Sequence, residues 1–135
     1  MAVDLEQMML LLQKRYDILK KVDELTDELQ SAFIRHDEVS ASLLLDMRAE
    51  EIAEVDACLG RIWDLGRTGG EDLQEIKRLL HTDPASVSAT GSWEENKIFE
   101  VRRKTVRLLE QLQDKDRRMN LSAGGEKSYY KNKQN

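Results

Sequence analysis

The hydrophobic positions of the first third of the chain repeat at the spacing of an α-helix. With Leu5 at position a of a heptad, apolar residues recur at a, d and g, a wider stripe than the a/d seam of a two-stranded coiled coil. A stripe of that width contacts two neighbouring helices, as in a bundle. The pattern predicts a helix over residues 3–34, with the apolar stripe Leu5, Met8, Leu11, Leu12, Ile18, Leu19, Val22, Leu25, Leu29, Ala32 and Phe33.

The polar segment 35–38 interrupts this stripe. Asp37 is a favourable N-cap, and Glu38 then lies in the first turn, where the helix dipole favours a negative charge. The pattern alone allows residues 31–40 either to turn or to continue as helix. An unbroken helix of about 60 residues would be about 90 Å long, more than the rest of the chain can cover, so we favour a hairpin. The second helix is predicted over residues 38–65, with Leu45, Ile52, Val55, Leu59 and Ile62 on one face.

Two further helices follow a glycine-rich break at residues 66–70. Glycines of this kind end helices, and neither a preceding strand nor a following Gly-Lys-Ser/Thr indicates a phosphate-binding loop. A short helix is predicted over residues 71–81. Residues 82–91 contain the only proline and are predicted to form a loop. Ser92 and Glu95 match a capping box, which predicts the start of a long helix over residues 93–121.

These segments predict an all-α protein: an antiparallel helical hairpin or bundle of three to four helices with a long C-terminal helix. Its composition agrees, because 40% hydrophobic residues, 35% charged residues and only 5% aromatics are typical of long helices with solvated outer faces. We expect one domain over residues 1–122. Residues 123–135 are polar and are expected to form a flexible tail.

Charge is distributed unevenly along the chain. Residues 1–95 carry 10 Lys or Arg against 21 Asp or Glu, whereas residues 96–135 carry 11 against 5. The simplest interpretation is that a basic last helix packs beside acidic earlier ones. A nucleic-acid surface is disfavoured, because the last helix lacks the interleaved aromatic residues that stack on bases. We expect no nucleic-acid partner.

No residue pattern indicates an active site, so no catalytic, cofactor-binding or metal-binding residue is predicted. The histidines, His36 and His81, lie at helix ends, where caps and dipole interactions explain them. The lone Cys58 falls among apolar helical positions, as a buried thiol would. A small helical enzyme with inward-facing cations is the remote alternative, since three cations interrupt apolar stripes: Arg15, Arg48 and Lys115.

The chain shows no sequence signal for secretion or membrane insertion. Its N-terminus has no basic region, and the apolar run at residues 8–12 is too short to cross a bilayer. A cytoplasmic protein without membrane insertion is therefore expected.

The order of helices resembles the flagellar type III export chaperones, first the FlgN type, which escorts hook–filament junction subunits, and second the FliT type. The resemblance covers nearly the whole chain and rests on pattern. It is carried by a Leu-rich first helix from Leu10 to Leu29, an Asp-initiated second helix from Asp37 to Ile52, and a long last helix from Asn96 to Met119.

The resemblance implies a chaperone or adaptor that binds an amphipathic helix of an export substrate and prevents its premature assembly. The last helix and tail are the expected partner-binding surface, because some of their apolar residues fall outside the main stripe. A core or dimer-interface role for these residues, and with it a self-associating coiled-coil protein, is the open alternative. The candidate residues are Val106, Leu108, Leu109, Leu112, Met119, Leu121, Tyr129 and Tyr130.

Overall fold

Four α-helices and one short 3₁₀-helix make up the computed structural model, which describes residues 3–67, 69–87 and 92–122. The helices are α1 (Leu5–Ile34), α2 (Glu38–Asp64), α3 (Gly70–His81) and α4 (Trp93–Ser122), and the 3₁₀-helix is Pro84–Ser86. No strand occurs within these ranges. The predicted all-α class and long C-terminal helix are confirmed, and each predicted helix boundary agrees to within two residues.

The long helices begin at side chains that satisfy their first backbone N–H groups. The carboxylate of Asp4 accepts a hydrogen bond from the Gln7 N–H at 3.0 Å, and the carboxylate of Asp37 accepts one from the Ser40 N–H at 3.0 Å. Ser92 Oγ accepts from the Glu95 N–H at 3.2 Å, so the predicted capping residue does begin α4.

Residues 35–37 form a tight turn, and α1 and α2 therefore make the hairpin that we favoured. The Asp37 N–H donates to the Ala32 carbonyl at 2.9 Å and the His36 N–H donates to the Phe33 carbonyl at 3.1 Å, which is the Schellman pattern. His36 adopts a φ of 57°, the left-handed conformation that this motif requires and that glycine usually supplies.

The three long helices run up, down and up. Leu12 of α1, Ile62 of α2 and Ile98 of α4 belong to one buried cluster, which also contains α3 residues. At the other end, Ala32, Ala41 and Met119 form a second cluster, with a third cluster between them. Because the end of α1 meets the start of α2 and the end of α4, α1 and α4 are parallel and α2 is antiparallel to both.

The short helix α3 covers the end of the bundle where α1 and α4 begin. Its buried Ile76 and Leu79 join the cluster there. The chain reaches α3 through Gly69 and Gly70, both with positive φ, which explains the glycine pair. We call the half of the bundle beside α3 the α3 half and the half beside residues 35–37 the turn half.

Candidate functional site: a groove between α2 and α4

The helices α2 and α4 both pack along α1, but among the described residues they approach each other closely at few points. The gap between them in the α3 half is a pocket of about 270 Å³, which we call the α2/α4 groove. Its walls are largely apolar, and α1 contributes one residue to it. The groove is lined by Arg15 of α1, Leu59 and Trp63 of α2, Leu80 and His81 of α3, and Arg102, Thr105, Val106 and Leu109 of α4.

In the turn half, a buried arginine joins α2 to α4 and to α1. Arg48 Nε donates to Thr26 Oγ1 at 2.9 Å, and Arg48 Nη2 donates to both carboxylate oxygens of Asp116 at 3.0 and 3.2 Å. Thr26 in turn donates to the Val22 carbonyl. Both carboxylate oxygens accept from the same nitrogen, and this charge-assisted contact joins α2 to α4 at this level.

Lys115, the second cation that interrupts an apolar stripe, joins α4 to α1. Its Nζ lies 2.8 Å from the Asp23 carboxylate and 2.9 Å from the Asp27 carboxylate. Partial burial by itself lowers the pKa of Lys115, but the two carboxylates, as hydrogen-bond acceptors and negative charges, together raise it above its ordinary value. This contact matches the interpretation that the basic last helix packs beside an acidic earlier one.

Arg15 lies at the base of the α2/α4 groove and lacks comparable partners. Its Nε is buried and has no hydrogen-bond acceptor among the described residues. Burial lowers the pKa of Arg15, and attraction to Asp56, an exposed residue of α2, and to Cys58 only partly opposes this. The groove therefore has a partly dehydrated positive charge at its base.

A second arginine forms one edge of the groove. Arg102 Nη1 donates to the carbonyl oxygens of Leu79, at 2.9 Å, and Thr82, so it caps the C-terminal end of α3. Burial lowers its pKa, and nearby Asp83 opposes that effect. Next to it, the Trp63 and His81 rings pack at a centroid distance of 5.8 Å. Arg102 is thus held in place by backbone groups.

The predicted partner-binding residues separate into two groups. Val106 is 43% exposed and Leu109 is half-buried, and both line the groove. Leu108, Leu112 and Met119 are instead buried core residues that pack against α1, so a partner could not reach them without opening the bundle. The side chain of Leu121, together with Tyr129, Tyr130 and the predicted tail, lies outside the described residues.

The α2 wall of the groove does not follow from the sequence pattern. Leu59 is predicted on a buried face, and no pattern singles out Trp63 or Arg102. Ile52, also predicted on that face, is 38% exposed, because α4 does not close over this side of α2. One signal was present in the sequence: Ile52 and Leu59 are one heptad apart, beside the larger apolar Trp63.

A second apolar surface lies on the outer face of α2 in the turn half. Val39, Leu43 and Met47 repeat every four residues and are exposed, and exposed Ile34 ends α1 nearby. A pocket beside this stripe is lined by Glu28, Ser31, Arg35, Ser40, Leu43 and Leu44. We call Val39, Leu43 and Met47 the outer stripe.

The structure places both histidines at helix ends, as predicted from the sequence. His36 completes the turn and His81 ends α3 beside Trp63. Cys58 is buried, as predicted. Within residues 3–67, 69–87 and 92–122, no group of three His, Cys, Asp or Glu side chains is placed to hold a metal ion.

The three cations of the remote enzyme alternative do not converge on one site. Arg48 and Lys115 each contact carboxylates in the turn half. Thr26, the α1 residue that Arg48 contacts, lies about 16 Å farther along α1 than Arg15.

In the described part of the chain, none of the helices combines the length and apolarity needed to cross a lipid bilayer.

Comparisons of this chain with protein-family models, with curated proteins and with solved structures gave no match.

Proposed function

We propose that this protein is a cytoplasmic chaperone or adaptor of the flagellar export type. It binds an amphipathic helix of a hook–filament junction subunit and thereby prevents premature assembly. The observation that carries the proposal is the α2/α4 groove: two long helices share α1 but leave an apolar channel between them. A partner helix bound in this channel would pack beside α1, α2 and α4 as in a four-helix bundle and would bury side chains that are now exposed.

On α2 the groove is lined by Leu59 and Trp63, which lie one helical turn apart. Exposed Ile52 lies outside the groove on the same helix, and the stretch from Ile52 to Trp63 is roughly 16 Å long, about three helical turns. Next to it, exposed Ala49, Ala53 and Gly60 repeat at helical spacing. Small side chains allow neighbouring helix axes to approach closely, and interaxial distance depends on the side chains at the contact.

Co-expression with the helical terminal segments of hook–filament junction subunits from the same genome tests this proposal. We expect a one-to-one complex in size-exclusion chromatography with light scattering. Val106→Asp should abolish it, because a carboxylate would then be buried against the apolar side of the partner helix.

Val39→Asp is the matched control, since it makes the same change at an exposed valine outside the groove, in the first turn of α2, where an acidic residue is tolerated. Loss of the complex with Val39→Asp alone would place the binding surface at the outer stripe. A complex that survives both substitutions would rule out the groove.

The outer stripe favours self-association as a second candidate function. Val39, Leu43 and Met47 form a continuous apolar row on an exposed helix face, and exposed patches of this kind mark protein interfaces. If a second copy covers it, sedimentation should show a concentration-dependent dimer that Leu43→Asp makes monomeric. A monomer at all concentrations would exclude this function.

A further inference from the structure

Arg15, which lines the α2/α4 groove, has a buried nitrogen with no hydrogen-bond acceptor among the described residues, and this is energetically unfavourable. Its Nε is buried without an acceptor among the described residues, whereas Arg48 and Arg102 donate to identified oxygen atoms and Lys115 forms ion pairs with Asp23 and Asp27. Removing a guanidinium from water costs free energy unless hydrogen bonds or an opposite charge replace its hydration. Arg15 therefore has a binding capacity that its contacts in this structure do not use.

The surroundings of Arg15 define what would use that capacity. The groove has apolar walls at Leu59, Trp63, Val106 and Leu109, and a second cation, Arg102, at its edge. Asp56, the carboxylate that attracts Arg15, is exposed on α2 and is well hydrated there. A largely apolar pocket with a partly dehydrated guanidinium at its base is complementary to an apolar ligand that carries a carboxylate.

We infer that the helix bound in the α2/α4 groove carries an Asp or Glu at the centre of its apolar face and that this carboxylate pairs with Arg15. The inference rests on the proposed function and adds the chemical identity of the partner. An acidic residue within an apolar stripe is unfavourable on a free helix and favourable only against a buried cation. Arg15 is thus a specificity-determining residue, since it selects the one amphipathic helix that provides its missing acceptor.

The test uses two synthetic amphipathic peptides of about 18 residues, identical except for Glu or Gln at the central position of the apolar face. Trp93→Phe in the full chain leaves Trp63, a groove residue, as the only tryptophan and makes its fluorescence the readout. We expect the Glu peptide to bind at least about tenfold more tightly than the Gln peptide. This preference should disappear in Arg15→Met and be partly retained in Arg15→Lys, which keeps the charge but not the bidentate geometry.

A structural role alone would give a different result, so the melting temperature of Arg15→Met is measured alongside. Loss of the preference without loss of stability supports the inference. Equal binding of both peptides to the unchanged chain overturns the acidic anchor but leaves helix binding intact. If neither peptide binds, both the inference and the groove are overturned.

Two other occupants of the groove would give distinguishable results. If the Glu peptide binds only after residues 123–135 are removed, the chain's own terminal segment occupies the groove. If the Trp63 signal depends on protein concentration without peptide, a second copy occupies it. Either result overturns the assignment to a partner helix, as does a Glu preference that persists in Arg15→Met.

Discussion

Arg48 and Arg15 both interrupt apolar stripes, but they differ in their hydrogen bonding. In the turn half, Arg48 connects Thr26 and Asp116 and holds α2 against α4. In the α3 half, Arg15 lies between the same two helices, and its buried Nε has no acceptor among the described residues. The difference comes from what faces each arginine: α4 presents Asp116 to Arg48, whereas the groove presents Val106 and Leu109 beside Arg15. An arginine thus joins α2 to α4 in the turn half, whereas the arginine of the α3 half lines the gap between these two helices.

The largest loss of stability is expected in the turn half. Arg48→Ala removes the guanidinium that contacts Thr26 and the partly buried carboxylate of Asp116. It should lower the free energy of unfolding by about 2 kcal/mol in urea denaturation followed by circular dichroism. Arg61→Ala is the control, because Arg61 is an exposed arginine of the same helix paired with Glu54. If both variants lost equally little stability, Arg48 would not be what joins α2 to α4.

In the α3 half, by contrast, replacing the arginine is expected to raise the free energy of unfolding. Arg15→Met replaces a partly dehydrated cation with an apolar side chain of similar length, so the free energy of unfolding should rise by about 1 kcal/mol. Thermal melting followed by circular dichroism measures this. Arg15→Ala separates charge from volume, because it also removes the charge but leaves a cavity. A marked loss of stability in Arg15→Met would mean that Arg15 already has a stabilising partner.

Gly60 and Gly66 differ in the space available for an added side chain. A Cβ added at Gly60, inside α2 beside the groove, meets no heavy atom within 4 Å. Gly60→Ala should therefore stabilise the free protein by about 0.5–1 kcal/mol through helix propensity. Gly66→Ala is the contrasting control, since its Cβ would lie 3.1 Å from the Leu73 Cα and should destabilise the protein. Equal and opposite shifts in melting temperature are not required, but the signs must differ.

The smallest change in stability is expected at the N-cap of α2, in the turn half. Hydrogen bonds from Ser40, with a smaller contribution from Arg35, lower the pKa of Asp37 below its usual value. Because the folded pKa is depressed, this stabilisation is present above the unfolded pKa and is lost as pH falls through the folded one. Asp37→Asn keeps a capping oxygen, so its stability should differ slightly from that of the original chain at pH 7 and converge with it as pH falls through the depressed pKa of Asp37. A difference that stays constant with pH would contradict this cause.

The helices themselves could be predicted because their signals are local. The capping residues Asp37 and Ser92 lie next to the segments that they begin, and the 3.6-residue periodicity is visible within each helix. The turn at residues 35–37 was harder, since a histidine rather than a glycine occupies its left-handed position.

The groove could not be predicted in the same way, because it depends on distances between helices. Arg15 and Arg48 look alike in the sequence, and the acceptor that distinguishes them is 68 residues from Arg48. Similarly, Leu108 and Leu109 are adjacent and both apolar, yet one is buried against α1 and the other lines the groove. The width of a stripe shows that a helix has two neighbours but does not show where those neighbours separate.

The position of α1 as the helix shared by both of the others determines how the fold should open. The α1 amides lie between α2 and α4, whereas α2 and α4 each pack against α1 and make few contacts with each other. Partial opening that releases α2 or α4 leaves α1 covered by the remaining helix. In native-state hydrogen exchange, the central amides of α1, around Leu19 and Val22, should therefore exchange only through global unfolding. Those of α2 beside Ile52 and of α4 beside Val106 should exchange through smaller openings of lower free energy.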